Sequence, residues 1–418
     1  MSPLAFHADL LTLAEWGQWI YEHSSQEFYA NRVWIYAWPT QTPLFNLILK
    51  FNYYLYFDKL TWLFSYVSAV LQNHNILPGF ELWSRNFVNW WGHSFYSDTP
   101  FTWGQLIAIK IPVILADLLI GLLVWRTVLK THMARPLLWT AVYLFSPFSW
   151  YLSSVWGQYD QVSVLFLLLA FILAFSESSL SFLAMPFLAA SVAVKPTTLI
   201  FVPLFVFILF IKKVKPIYIV AGLLSAAVVL FAPLVQFTHD NVLHFALNDL
   251  KRIVFDKSEM RLTTNSFNFW HIFVGNKALG QNAKFLLIPA NIWGYLSVAI
   301  LNVWAVKKLK IRSLENLFLA IFIVGFGSWL FLTNMLERYI LGGIVAGFLL
   351  TIYRPQLLKY WLILSAIFLL NLYHGFWFPH LPFLQSVLKV NEGVLTRFLS
   401  LLNVILFFIF LRKATIRD

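Results

Sequence analysis

Residues 317–354, with the sequence LFLAIFIVGFGSWLFLTNMLERYILGGIVAGFLLTIYR, give the clearest indication of the fold. Two apolar runs, 317–332 and 339–353, are separated by a short polar turn. A bilayer core requires about 20 residues of apolar helix, and both runs are near that length. Backbone in lipid must satisfy its hydrogen bonds internally, which a helix does. The stretch therefore predicts a hairpin of two membrane-spanning helices.

Other apolar runs repeat this pattern along the chain, at 106–125, 137–152, 162–175, 180–193, 198–211, 217–235, 285–306, 360–373 and 393–411. Together with the hairpin they predict an all-α membrane bundle of about eleven transmembrane helices, or twelve if an N-terminal helix is missing. The composition agrees with this prediction. A chain with 60% hydrophobic residues, 11% charged residues and a mean hydropathy of +0.72 does not describe a water-soluble surface.

Basic residues predict the orientation of the bundle. Half of the 30 Lys and Arg residues lie in loops at one end of alternate helices, and the positive-inside rule makes that end cytoplasmic. The clusters are Arg126/Lys130/Arg135, Lys212/Lys213/Lys215, Lys307/Lys308/Lys310/Arg312, Arg354/Lys359 and Arg412/Lys413/Arg417. Since topology accounts for this charge, the net charge of +12 gives no reason to expect a nucleic-acid partner. With no cysteine, the chain has neither disulfides nor thiolate metal sites.

Most remaining polar residues are predicted on the opposite, outer face. We interpret 1–418 as a single domain, in which 1–104 is an outer segment with interfacial helices at 45–56 and 60–71. Residues 105–418 form the transmembrane bundle, with an outer loop at 236–284. Residues 1–10 lack the basic and apolar regions of a signal peptide. An outward N-terminus then predicts either a translocated tail or a start site downstream of a missing first helix.

Asp9, near Glu15 and Trp16, is the first candidate for chemistry. A carboxylate held among aromatic residues at a membrane surface is partly desolvated, which raises its basicity and suits a general base. The alternative is that Asp9 is an ordinary exposed aspartate in a loop, and the spacing of the residues alone favours this interpretation.

Two outer turns carry further candidates. Trp156, Gln158 and Asp160 lie between two predicted spans, although Asp160 could simply be a first-turn acid of the next helix. Lys195 stands alone between apolar runs, and ionisable residues at membrane depth are costly and usually functional. Pro196 breaks the helix and frees backbone amides for an anion. A lysine that snorkels to the interface is the alternative.

Glu337 and Arg338 occupy the turn of the hairpin. Arginine binds phosphate in a bidentate manner and keeps its charge, so Arg338 suits a lipid phosphate, although the two residues could also be a plain ion pair. Lys110 and Asp117 predict a buried ion pair or a helix-packing device. In the outer loop, Arg261, Asn265 and Asn268 with neighbouring aromatic residues form a surface typical of carbohydrate contact.

Taken in order, these segments resemble bacterial GT-C superfamily glycosyltransferases, polytopic enzymes that use polyprenyl-phosphate sugars. They look most like the mannosyltransferases related to the second GPI mannosyltransferase. No single piece is specific, and the resemblance lies in the order and shared outer location of pieces between positions 9 and 338. The pieces are Asp9-Leu10, Glu15-Trp16-Gly17, Trp38-Pro39-Thr40-Gln41-Thr42-Pro43-Leu44, Lys110-Ile111-Pro112 with Asp117, Trp156-Gly157-Gln158-Tyr159-Asp160, Lys195-Pro196, Asn265-Ser266-Phe267-Asn268-Phe269-Trp270 and Glu337-Arg338-Tyr339.

The resemblance implies a GT-C bundle in which Asp9 is the catalytic base and Lys195 and Arg338 hold the donor phosphate, with Arg261 in reserve. The remaining substrate-binding residues it implies are Glu15, Trp16, Trp156, Gln158, Asp160, Asn265, Asn268 and Glu337. The chain departs from the family in two respects. Only eight residues precede Asp9 where the family usually has a spanning helix, and Leu336 stands where the family often has His.

The expected reaction moves a hexose, with mannose expected, from a polyprenyl-phosphate sugar to a glycan, lipid or protein acceptor, with inversion. It takes place at the extracytoplasmic face of the cell membrane. No cofactor is required, while a divalent cation, Mg²⁺ or Mn²⁺, at Asp9, Glu15 and Asp160 stays open. The alternative is a lipid-linked sugar flippase or secondary transporter. Polar groups concentrated at one face, without an internal repeat, favour the enzyme. A structural subunit without activity is a third interpretation.

Overall fold

A computed structural model describes residues 8–31, 33–62, 103–176, 178–238, 241–249, 251, 260–275, 277–390 and 393–416. The predicted interfacial helix at 60–71 lies almost entirely outside the described residues. Within them the chain is all-α apart from one two-stranded ribbon, β1 (Lys284–Phe285) and β2 (Ile288–Pro289). The predicted all-α class is confirmed.

Seventeen α-helices occur in the described residues, several of them extended by a 3₁₀ or π-helical turn. In chain order they are α1 (Ala8–Glu22), α2 (Pro43–Tyr54), α3 (Trp103–Lys130), α4 (Pro136–Leu144), α5 (Pro147–Trp150), α6 (Asp160–Phe175), α7 (Ala184–Val194), α8 (Val202–Ile211), α9 (Pro216–Gln236), α10 (Val242–His244), α11 (Phe269–Val274), α12 (Ala290–Leu309), α13 (Leu314–Phe331), α14 (Leu341–Tyr353), α15 (Leu358–Phe376), α16 (Pro382–Lys389) and α17 (Val394–Thr415).

Five helical segments of the described chain are long and apolar enough to cross a membrane: Ile107–Lys130, Pro216–Gln236, Leu314–Phe331, Pro355–Phe376 and Val394–Thr415. Three shorter apolar segments follow one another at Asp160–Phe175, Ser179–Val194 and Pro196–Ile211. The segment Pro216–Gln236 is only 17% buried and exposes Leu223, Leu224 and Val228. Such a surface suits lipid and not water, so the chain has the character of a membrane protein.

The two helices predicted at 317–354 are present as α13 and α14, which pack against each other, and of the two α13 is long and apolar enough to cross a membrane. Helix α13 lies at the centre of the core, because 78% of its residues are buried. Phe326 of α13 stacks on Phe407 of α17 with ring centroids 5.6 Å apart, and Phe322 packs against the same ring in a tilted arrangement at 5.9 Å. This central packing fixes the turn that carries Arg338.

The predicted run at 137–152 is interrupted in the structure. Helix α4 ends at Leu144 and α5 begins at Pro147, with Ser146 extended between them at φ −63° and ψ 127°. A residue before proline avoids the helical region, since the proline ring collides with it. Helix α5 then continues as a π-helical turn, Tyr151–Trp156, that leads directly to Gln158 and Asp160.

Helix α2, predicted to lie at the interface, packs within the bundle against α1, α3, α7 and α9. Its buried residues Phe45, Leu49 and Tyr53 recur every four positions and so form one face. Phe51 and Tyr54 stay exposed on the other face. The outer segment is thus joined to the bundle, and it brings α1 and Asp9 against the later helices.

Candidate functional site

Five ionisable side chains from distant parts of the chain meet in one cluster, with Arg338 at its centre. The Arg338 guanidinium lies 2.7 Å from Glu337 Oε1 through Nη1, 3.7 Å from Asp160 Oδ2 through Nε, and 3.9 Å from Asp9 Oδ2 through Nη2. Lys195 Nζ lies 3.7 Å from the same Asp160 oxygen. We call these five residues the Arg338 cluster.

Asp9 is the open member of the Arg338 cluster. Its side chain is 41% exposed, whereas those of the other four members are 13% exposed or less. Gln158 Nε2 donates a hydrogen bond of 2.9 Å to Asp9 Oδ2, which orients the carboxylate. A ligand that arrives from solvent can therefore reach Asp9 before it reaches the buried charges.

Burial shifts the charge balance of the cluster. It lowers the pKa of Lys195, although the nearby Asp160 carboxylate opposes the shift. It raises the pKa of the Glu337 carboxyl, which Arg338 opposes. Burial also disfavours the charge on Arg338, but the carboxylates of Glu337, Asp9 and Asp160 outweigh it and hold the pKa of Arg338 above its ordinary value. Arg338 is thus a permanent cation, while the charge of Lys195 depends on Asp160.

Hydrogen bonds with α3, through Lys110 and Asp117, stabilise the segment that leads to the turn with Gln158 and Asp160. Lys110 Nζ donates to the carbonyls of Ser154 and Val155 at 3.1 and 3.0 Å. Asp117 accepts hydrogen bonds from Tyr143, Ser149 and Ser153 at 2.8, 2.6 and 3.1 Å. Both residues therefore anchor the segment around the π-helical turn, which fits the predicted helix-packing device.

Gly157 completes that turn in the left-handed region, at φ 75°, where a side chain would be strained. Asp160 then lies in the first turn of α6, as its position after the turn predicts. Trp156 is buried and stacks on Phe376 with centroids 5.0 Å apart, and the Arg338 guanidinium lies 5.2 Å from its ring. An aromatic wall thus shields one side of the guanidinium from water.

A narrow cleft with about 20 Å³ of water-accessible volume begins at Asp160, Lys195 and Arg338. Lys195 is extended, at φ −141° and ψ 106°, because Pro196 follows it and ends α7. From the charged end the cleft continues between apolar side chains of α6, α14 and the 3₁₀ turn Pro196–Phe201. These are Val164, Leu167, Ile200, Phe201 and Leu341, beside Gly342. The cleft is therefore polar at one end and apolar along its length.

Several predicted substrate residues have structural contacts instead. Both oxygens of Glu15 accept backbone N–H groups, from Ile35 at 2.5 Å and Tyr36 at 3.1 Å. Trp16 Nε1 donates to the Ala37 carbonyl at 2.9 Å. The two residues thus hold the 35–37 loop against α1, and the carboxylate of Glu15 is engaged away from the Arg338 cluster.

The outer-loop candidates also lie apart from the cluster. The Asn268 side chain caps α11 by accepting from the His271 N–H at 3.2 Å. Arg261 and Asn265 line a second cavity, together with His271 and His374. The structure therefore brings Asp9, Trp156, Gln158, Asp160, Lys195, Glu337 and Arg338 together, and places Arg261 at a different site.

Of the residues that line the cleft, only Asp160, Lys195 and Arg338 were predicted site residues, and the polar residues Ser163, Thr197, Thr198 and Tyr339 were not. Tyr339 lines it, and its ring lies 5.8 Å from the Arg338 guanidinium. Thr197 and Thr198 also line it, and their position directly after Lys195-Pro196 was an available signal. Hydroxyl groups beside two cations are typical partners of phosphate oxygens.

No protein-family model matches the chain, and no curated protein is detectably similar to it in sequence.

Proposed function

We propose that the protein is a membrane glycosyltransferase of GT-C type, with about eleven spans, that transfers a hexose from a polyprenyl-phosphate sugar to a hydroxyl at the extracytoplasmic face. Mannose is the expected sugar. The observation that carries the proposal is the cleft, which joins the buried cations Lys195 and Arg338 to an apolar lining. A polyprenyl-phosphate sugar has the same division, an anionic phosphate beside an apolar chain.

The geometry of Arg338 supports a site for the donor phosphate. The buried atoms Arg338 Nε and Asp160 Oδ2 lie 3.7 Å apart, and neither has a hydrogen-bond partner in the described part of the chain. A buried donor without a partner costs about 1–3 kcal/mol. A phosphate oxygen at Arg338 Nε supplies the missing acceptor through a charge-assisted bond, with Lys195 as the second cation.

In this proposal Asp9 takes the proton of the acceptor hydroxyl as its oxygen attacks the anomeric carbon of the donor. The bond between that carbon and the phosphate oxygen breaks, and the lipid phosphate leaves with the electron pair. Arg338 and Lys195 stabilise its charge.

The charges of the Arg338 cluster are compatible with a divalent cation that binds together with the donor phosphate. The cluster has two cationic and three carboxylic side chains, so a donor phosphate adds negative charge to a site that has no excess of positive charge. Within the described residues, no group of three or more His, Cys, Asp or Glu residues could hold a metal ion. A Mg²⁺ or Mn²⁺ ion at Asp9 and Asp160 would therefore need phosphate oxygens and water as its other ligands.

Turnover by the purified full-length chain tests the proposal. Polyprenyl-phosphate sugars that differ in the hexose are incubated with protein in nanodiscs, with and without a chelator, and release of polyprenyl phosphate is measured. The proposal predicts sugar-specific release that Asp9→Asn removes. Release from no donor in the panel, or equal release by the Asp9→Asn protein, contradicts it. Movement of intact donor between leaflets without cleavage would instead identify a flippase.

A further inference from the structure

A second cavity, with about 230 Å³ of water-accessible volume, lies on the same side of the bundle as the Arg338 cluster. The backbone N–H of Asn334 donates to the Arg261 carbonyl and that of Thr264 donates to the Met335 carbonyl, so the loop that forms the cavity is tied to the turn before Glu337. We call it the basic cavity, because Arg261, Lys277 and Lys389 line it. None of the described residues that line it is acidic.

His271 gives the basic cavity an acceptor atom. Its ring is 1% exposed, and Nε2 lies 2.8 Å from Thr396 Oγ1. Since the Thr396 hydroxyl donates its proton to the Gly393 carbonyl at 2.9 Å, its oxygen accepts from His271 Nε2–H. The lone pair of a neutral His271 is then on Nδ1, which is buried without a partner in the described structure.

Electrostatics keep this imidazole neutral. Burial first, and then the neighbouring His374 and Arg397, lower the pKa of His271 to about 3. A neutral ring with a protonated Nε2 cannot donate from Nδ1, so the atom requires a hydrogen-bond donor from a ligand. His374 Nδ1, in the same cavity, is also buried without a partner among the described residues. Hydroxyl groups are the natural donors for such atoms.

Trp377 adds an aromatic surface to the basic cavity. It adopts φ 56°, which is rare for a bulky residue, and its indole is half-buried with Lys389 Nζ 4.7 Å from the ring centroid. Asn265, at φ 57°, lines the same cavity. Backbone strain of this kind persists where surrounding packing enforces it, and it is concentrated at binding sites. The face of the Trp377 indole is apolar and suits the apolar face of a sugar ring.

We propose that the basic cavity binds an anionic saccharide. The phosphate or carboxylate group lies at Arg261, Lys277 and Lys389, a sugar hydroxyl donates to His271 Nδ1, and the sugar ring lies near Trp377. Three cationic side chains disfavour a metal ion between the two histidines, whereas they attract an acidic group. Binding of this saccharide does not depend on transferase activity.

The position of the basic cavity places such a saccharide next to the Arg338 cluster. Gly375 follows His374, and a Cβ on it would lie 2.8 Å from Glu337 Cδ, so α15 packs directly on the Glu337 carboxyl. The two sites are thus separated by one layer of residues. The saccharide would then be the acceptor, or part of it, and this assignment rests on the proposed function.

Saturation-transfer NMR on the full chain in detergent, with hexose 6-phosphate, hexuronate, neutral hexose, inorganic phosphate and glycerol 3-phosphate as probes, tests the proposal. Hexose 6-phosphate and hexuronate are expected to bind about tenfold or more tightly than the other three, because only they offer both a charge and a sugar. Lys277→Gln with Lys389→Gln should weaken their binding by about tenfold. The matched control, Lys359→Gln with Lys413→Gln, removes two charges at the predicted cytoplasmic end and should have no effect.

Three results would overturn the proposal. Equal binding of inorganic phosphate identifies a plain anion site, and equal binding of glycerol 3-phosphate identifies a lipid headgroup site. Binding that survives the Lys277 and Lys389 changes but is lost in Arg338→Lys places the saccharide at the Arg338 cluster. Since the measurement involves no turnover, it separates this proposal from the proposed function.

Discussion

Arg338 and Arg354 lie at opposite ends of α14, and each is paired with a glutamate. Arg354 Nε donates to Glu315, and its Nη1 donates to the carbonyls of Ala414 and Ile416 at 2.6 and 3.2 Å. Arg338 Nη1 donates to Glu337, but its buried Nε has no hydrogen-bond partner in the described chain. Arg354 thus forms hydrogen bonds through both Nε and Nη1, whereas Arg338 forms one through Nη1 and its buried Nε has no partner in the described chain.

The helix dipole sharpens this difference. Arg354 follows the C-terminus of α14, where a cation is favoured, whereas Arg338 precedes its N-terminus, where an anion is favoured. Arg338 is therefore retained at an electrostatically poor position by three carboxylates, beside a narrow cleft. We infer that Arg354 has a structural role and Arg338 a ligand-binding role.

Accessibility should separate the two ends of the bundle completely. The chain contains no native cysteine, so single cysteines report position directly. A membrane-impermeant thiol reagent applied to intact cells should label Lys277→Cys and His380→Cys, which are exposed near the basic cavity. It should label Lys213→Cys and Lys359→Cys only after permeabilisation, because the positive-inside rule predicts that the basic loops are cytoplasmic. Labelling of position 213 in intact cells would place the basic end outside.

Asp9→Asn should have the largest effect on turnover. Asparagine keeps the size of the side chain but cannot take a proton, so the rate should fall by about 10²–10⁴-fold while donor binding is retained. Turnover and binding of labelled donor are measured on the same preparation. Asp58→Asn is the control, since Asp58 is an exposed carboxylate of the same N-terminal region that accepts from Tyr21. An Asp9→Asn protein that turns over at the parent rate would move the base elsewhere.

Arg338→Lys and Arg354→Lys should give opposite results. Lysine keeps the charge but loses the planar fork, and each lost charge-assisted bond costs about 1.5–3 kcal/mol. At Arg338 the loss should slow turnover or weaken donor binding by about ten- to a hundredfold with little change in melting temperature. At Arg354 the melting temperature should fall while turnover per folded molecule stays near the parent value. The same loss of activity in both variants would contradict the assigned roles.

Lys110→Met should produce a smaller, structural effect. Methionine has a similar length but leaves the Ser154 and Val155 carbonyls without the lysine donor, which costs about 1–3 kcal/mol. The melting temperature should fall, and turnover should decrease less than in Asp9→Asn, because the Trp156–Asp160 turn is only loosened. Lys130→Met, an exposed position on the same helix, should change neither quantity. Complete loss of activity at an unchanged melting temperature would give Lys110 a direct role.

The sequence predicts the hairpin at 317–354 and the gathering of Asp9, Asp160, Lys195 and Arg338 because both depend on topology. Apolar run lengths and basic loops determine on which face each turn lies, and these are local features. The break at Pro147 also has a local cause, although the apolar run conceals it. The contact of Glu15 with the 35–37 loop could not be predicted in this way, because no local sequence pattern shows that the loop folds back onto α1.

The basic cavity was equally inaccessible to sequence reasoning. Its residues Arg261, His271, His374 and Lys389 come from segments separated by up to 128 positions, and they meet only because α11 packs on α17. The acceptor character of His271 depends on a single hydrogen bond to Thr396. Tertiary packing, and no periodicity or motif, determines both features.

Photo-crosslinking with a polyprenyl phosphate that has a photoreactive group on its chain tests the claim that the cleft at the Arg338 end of α14 holds the donor lipid. Mass spectrometry of the labelled peptides locates the lipid chain. We predict labels at Val164, Phe201 and Leu341, competed by unlabelled polyprenyl phosphate and reduced about tenfold or more by Arg338→Lys but not by Arg354→Lys. Labels confined to other helices, or labelling of the cleft that Arg338→Lys leaves unchanged, would contradict the claim.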